Sequence, residues 1–248
     1  AAKLPLLLEL GETVLTRLGD VERAEQIFQT IAESSPTSAP ARRFLQRIFV
    51  TRRKWDDLAR LYSRPTKASG TAGARWKDYI ALLKDAVKQE HEPALVGAIH
   101  VEIARVFEVE LDDKKNAAEH LELALREGDD QVELAHKMLE LLGDEASGTR
   151  KLSALHVLAR HAPDLHERYQ SWVSAAQIHR RAKDPVGACD AWGKALVIGA
   201  ELGLIEALPH LEEDAGATGR WENAFAAIDE ALGRLAVSPS AAEARIAF

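Results

Sequence analysis

The chain has 248 residues, of which 46% are hydrophobic and 29% charged, and its formal net charge is −7. That balance suits a folded, well-solvated protein and argues against a nucleic-acid binder, which would carry a basic face to neutralise phosphates. The single cysteine, Cys189, excludes an intrachain disulfide, and no apolar stretch approaches the ~20 residues that a membrane-spanning helix needs.

Ala, Leu and Glu abound, while the β-branched runs that strands prefer are nearly absent. An all-α fold follows. Helical patterning begins almost at Ala1. Leu4 to Leu10 is apolar but short, broken by Pro5 and Glu9, and lacks the layout of a signal peptide. The absence of an initial Met leads us to expect a processed or excised piece of a longer protein.

The first unit, 5–36, carries Gly19-Asp20-Val21-Glu22-Arg23-Ala24, then Phe28, Ile31 and Pro36. The second, 39–66, repeats the shape in Arg53-Lys54-Trp55-Asp56-Asp57-Leu58, followed by Tyr62 and Pro65, with both Ala24 to Leu58 and Phe28 to Tyr62 spaced by 34. Ser63 to Gly73 reads as a flexible loop. Arg75 to Glu90 reads as an additional helix with Trp76, Tyr79, Leu82, Leu83 and Val87 on one face. The third unit, 96–128, has Asp113-Lys114-Lys115-Asn116-Ala117 leading to Leu121, Ala124 and Leu125. The fourth, 130–163, is a weaker copy with Lys151, Leu155, Leu158 and Pro163. The fifth, 168–200, has Trp172, Ala175-Ala176 and Ala188, then Trp192, Ala195 and Leu196. The sixth, 203–236, has Gly219-Arg220-Trp221-Glu222-Asn223-Ala224, then Ile228, Ala231 and Leu232. Val237 to Phe248 is left as a tail or the start of a truncated repeat.

Each copy reads the same way. A turn ends one helix, a small residue lets the next helix pack closely, and large apolar residues follow on one face. The pattern resembles the tetratricopeptide repeat, a helix–turn–helix unit of 34 residues. The first-helix glycine of that family is replaced by Ala104 and Ala176, or by Glu12, Leu139 and Glu212. The resemblance implies a right-handed superhelical solenoid of stacked antiparallel helix pairs, with repeats in 1–66 and 93–236 and the loop and additional helix of 67–92 between them. It further implies that first helices line a concave groove suited to a partner's peptide or helix.

Helical phase places Arg43, Arg47, Arg105, Glu108, Glu133, His136, Glu140, Gln170, Gln177 and Arg180 on the groove side of the first helices. Trp55 and Trp221 hold equivalent places and are expected to pack the helix corners; Trp76 and Tyr79 are expected in a core. Arg52-Arg53-Lys54 reads as a solvated helix corner, Cys189 as a small core filler and His179 as a core residue.

Signals of catalysis are sparse. There is no phosphate-binding Gly-rich loop and no Gly-x-Ser-x-Gly elbow. His156, His161 and His166 recur every five residues, too far round a helix to converge. His136 and Glu140 share a face but lack a third ligand. The acidic pairs Asp112-Asp113, Asp129-Asp130 and Glu212-Glu213 are expected at helix ends or turns, where capping accounts for them. The reading is therefore a non-enzymatic, cytoplasmic protein-interaction scaffold or adaptor. It is expected to need no cofactor or metal, to bind other proteins or self-associate through the ends of its stack, and to contact neither nucleic acid nor a membrane interior. The competing reading is a regulatory or docking domain of a larger protein whose catalytic part lies outside this chain.

Overall fold

A computed structural model describes residues 3–63, 72–127, 131–143 and 148–237, and these form thirteen helices with no strand among them. The chain divides into two compact units, Ala1–Gly128 and Asp129–Phe248. The first contains α1 (Lys3–Thr13), α2 (Val21–Ser34), α3 (Ala39–Thr51), α4 (Trp55–Ser63), α5 (Ala72–Gln89), α6 (Pro93–Arg105) and α7 (Lys114–Glu127); wide π turns, Val14–Leu18 and Val106–Glu110, prolong α1 and α6. The second contains α8 (Gln131–Leu142), α9 (Gly148–His161), α10 (Leu165–Arg181), α11 (Pro185–Leu202), α12 (Ala207–Thr218) and α13 (Trp221–Val237). Most of the expected loop, residues 64–71, lies outside the described residues, as do 238–248 and the Asp129-Asp130 pair.

Consecutive helices pair into hairpins, with α5 standing as the additional helix between the second and third pairs. The backbone expresses the repeat in a form that side-chain matching does not. The first helix of every hairpin is followed by a residue in the left-handed region: Gly19, Arg53, Asp112, Gly143, Lys183 and Gly219. In all but the Gly143 case this residue stands two places before the second helix begins. Its role is to reverse the chain while satisfying the last carbonyls of the first helix. After α3, Arg53 N–H donates to the Val50 carbonyl (3.0 Å) and Lys54 N–H to the Phe49 carbonyl (2.8 Å). After α10, Lys183 N–H donates to Arg180 (3.0 Å) and Asp184 N–H to His179 (2.9 Å). The residue after the reversal then caps the next helix where it is an aspartate: Asp20, Asp113 and Asp184 accept from the N–H of Arg23, Asn116 and Gly187.

The core of the first unit is built from large side chains, with Phe28, Ile31, Leu45, Phe49, Leu58, Tyr79, Leu83, Ile99 and Ile103 all buried. Gly11, not Glu12, is the close-packing residue of α1, because a Cβ there would meet the Phe28 ring at 2.9 Å. The second unit closes around α11, which packs on α10, α12 and α13. Its buried residues are mostly small, including Ala188, Cys189, Ala191, Ala195 and Ala200, with Trp172 and Trp192 filling the larger spaces. At Gly199 a Cβ would come within 2.6 Å of the Leu204 carbonyl oxygen and 3.0 Å of the Tyr169 ring.

Several expectations are corrected. Trp55 packs partly buried against the core, whereas its counterpart Trp221 touches α12 at Gly216 and Phe225 but remains 41% exposed. His179 is mostly buried, as expected, with its ring stacked on His156, but its Nδ1 also meets Asp184 Oδ2 at 2.8 Å and braces the turn. Glu212-Glu213 lies in the middle of α12 and caps nothing. Arg52 and Lys54 are not merely solvated: both reach the buried carboxylate of Glu25, at 3.5 and 2.6 Å.

Candidate functional site

In the first unit, α3 and α5 enclose a cleft of about 730 Å³. Arg43 and Arg47 stand one helical turn apart on its α3 wall, both exposed, and Asp85 of α5 and Glu90 just past its end line the cleft with them. Asp85 is engaged by Lys88 at 2.8 Å. The Glu90 carboxylate accepts the backbone N–H groups of His91 (2.8 Å) and Glu92 (3.1 Å), which hold its pKa below the ordinary range. Neither arginine has a carboxylate within ion-pair distance among the described residues. The cleft is thus polar, with two free guanidinium groups on one wall.

Arg105 serves the interior. Its Nε and Nη2 form a fork on Glu102, at 2.8 and 2.7 Å, while Tyr79 Oη donates to the same carboxylate at 2.9 Å. Glu102 is 3% exposed, so this pairing is what permits a carboxylate inside the core. Burial and the neighbouring charge push the Tyr79 phenol well above its ordinary value. Glu108 is half-buried on the π turn.

Glu133, His136 and Glu140 lie exposed along α8, and His136 Nε2 meets Glu167 Oε1 of α10 at 3.0 Å. Gln170 and Gln177 are exposed on α10, and Gln177 lines a cleft of about 470 Å³ with Gly148, Lys151 and Arg181. Arg180 is drawn into a clamp between α10 and α12. It holds Asp214 at 2.8 Å, Glu213 at 2.9 Å and the His210 carbonyl at 3.1 Å, and it lies over the Trp192 ring. Asp214 is 6% exposed, so Arg180, like Arg105, neutralises a buried acid.

Nothing comparable was read at His100 and His120, where the structure shows a buried pair with Nδ1 atoms 2.9 Å apart. One ring must donate and the other accept, so at least one of the two is neutral. Burial and the neighbouring ring push His120 down to about 4, and burial lowers His100 as well. In the second unit His156 is likewise lowered to about 4, by burial first and then by His179, Arg160 and Lys194. His161 and His166 are exposed and take no part. Among the described residues no group of three or more metal-type ligands is gathered. Cys189 is buried, and burial raises its thiol pKa, which disfavours the reactive thiolate.

No protein-family profile matches this chain, and no curated protein is similar to it. The reading of its function rests on its own residues. No helix among the described residues is long and apolar enough to cross a membrane.

A second cleft of the C-terminal unit, about 550 Å³, was not foreseen from sequence. It runs over α11 between α9 and α13, with Trp172 of α10 at one side and Arg160, Arg168 and Lys194 on its rim. The sequence signal was faint: Gly193 and Ala227 are small at the places where α11 and α13 come closest, but nothing local says that α9 stands off from them.

Proposed function

We propose that this chain is a protein-interaction scaffold or adaptor. In this reading its six helix hairpins stack as a right-handed superhelical solenoid of tetratricopeptide type, and their first helices hold a partner's extended peptide or helix. The observation that carries the reading is the shared left-handed residue after each first helix. Six hairpins built on one backbone rule are modules that bury their apolar faces against neighbours and present a long surface, which suits polypeptide ligands better than small substrates. The polar cleft with Arg43 and Arg47 is the best candidate contact on that surface, since these guanidinium groups have no carboxylate to satisfy among the described residues. Arg105 and Arg180 are set aside as contacts because each is committed to a buried acid.

The chain itself is proposed to be non-catalytic. Its most perturbed histidines are neutral core groups, and its thiol is buried. The alternative, a docking domain serving a catalytic part elsewhere in a longer polypeptide, shares the same surface. The test is affinity capture from the native source with the wild-type chain and with Arg43→Glu/Arg47→Glu, read by mass spectrometry. Loss of a reproducible partner in the variant is the expected result. Recovery of every partner unchanged would remove the α3/α5 cleft from the site, and recovery of none by either protein would count against the scaffold reading.

A further inference from the structure

The cleft over α11 has an electrostatic asymmetry. Its two acids are already neutralised: Asp190 pairs with Arg220 at 3.4 Å, and Glu230 with Arg234 at 2.7 Å. Arg234 also reaches Glu201. The remaining cations are not. Lys194 places its ammonium 4.5 Å over the Trp172 ring, Arg168 donates from Nε to the Ala159 carbonyl at 3.2 Å, and Arg160 is exposed; none of the three has a carboxylate partner among the described residues. In a chain of net charge −7 this is a local inversion of sign.

We propose that this cleft docks an acidic segment of a partner protein, whose carboxylates are received by Arg160, Arg168 and Lys194. The inference rests on the protein-binding reading above but places the contact within the second unit, on α9, α11, α13 and the start of α10. The floor favours a polypeptide. Ala226 and Ala227 line it with almost no side chain, so a backbone or a small-residue helix face can approach closely. Arginine forks match carboxylates in a bidentate manner, and Lys194 remains free on one side to receive a second acid. A nucleic acid fits less well, because its affinity grows with the number of phosphates neutralised, and three cations on an acidic protein neutralise few.

The probe is a short fluorescein-labelled peptide of Glu, Asp, Leu and Ala, followed by anisotropy at low and physiological salt. Its control replaces Glu and Asp by Gln and Asn. The informative variant is Arg160→Glu/Lys194→Glu. Its control, Arg23→Glu/Lys77→Glu, changes net charge equally at exposed positions of the first unit, and circular dichroism checks that both remain folded. Saturable binding of the acidic peptide alone, weakened about tenfold or more by Arg160→Glu/Lys194→Glu and about twofold or less by the control, is the expected result. Equal weakening by both variants, no binding of the acidic peptide, or binding of a single-stranded oligodeoxynucleotide in its place would overturn the proposal. Any of these results alongside a partner still captured through Arg43 and Arg47 would sink this site while leaving the scaffold reading standing.

Discussion

The two units use one hairpin rule and fill space in opposite ways. The N-terminal unit interdigitates large side chains, with Phe28, Phe49, Tyr79 and a set of Leu and Ile residues contributed by α1 to α6. The C-terminal unit brings helices close on alanine and glycine and lets two tryptophans take up the slack around α11. A left-handed turn residue fixes only how a hairpin reverses; the separation of the helices is set by the side chains between them. The two units should therefore fail under opposite substitutions.

The largest effect is expected from truncation in the first unit. Ile99→Ala removes a fully buried side chain and should cost about 3 kcal/mol in chemical denaturation, whereas enlarging the second unit by Gly199→Ala should cost about 2 kcal/mol through its clash with the Leu204 carbonyl. Near-equal tolerance of both would break the contrast. Next come the two buried acids. Arg105→Ala strands Glu102 inside the core and should cost about 2 kcal/mol; Arg180→Ala strands Asp214 and should cost less, since that carboxylate lies nearer the surface. Adding Glu102→Gln to the first variant should restore part of the loss, because the charge is then gone.

Acid is expected to strike both units at the same place on the pH scale. An unfolded histidine takes up its proton near 6.5, whereas His120 and His156 in the folded chain resist until about 4. The unfolded state then binds more protons between those values, so stability is full above about 6.5 and falls as the pH drops towards 4. Each site contributes at most about 1.4 kcal/mol per pH unit in that window. His156→Gln should flatten the decline seen by probes in the second unit and leave the first unit's decline intact. A pH-independent melting temperature between 7 and 4 would refute this.

The smallest effect is a gain. Arg53 and Lys183 adopt φ values of 54° and 59°, which glycine accepts with less strain. Arg53→Gly and Lys183→Gly should each stabilise by about 0.5 kcal/mol, one in each unit, and the two should add. A loss at either position would mean that its side chain matters more than its backbone.

Much of the helical grammar was legible. The Gly19-Asp20 and Lys183-Asp184 junctions mark both the reversal and the cap, because those conformations are chosen by residues adjacent in the chain. The expected helix at Arg75 to Glu90 appears as α5 for the same reason, since Trp76, Tyr79 and Leu83 share a face by local periodicity. The exposure of the proposed contact residues was legible only in part. Helical phase correctly left Arg43, Arg47, Glu133, His136, Glu140, Gln170 and Gln177 exposed. It could not foresee that Arg180 would meet Asp214, thirty-four residues away, or that Glu102 would enter the core and claim Arg105.

The sequence by itself determined that the chain is helical and where several of its hairpins turn, because caps and apolar stripes act within a few residues. Only the tertiary structure decided which charges are spent and which remain free. His100 against His120, Arg180 against Asp214, and Arg160 and Lys194 without a carboxylate among the described residues are outcomes of how helices distant in the chain come together, and such pairings depend on distances that no local pattern encodes.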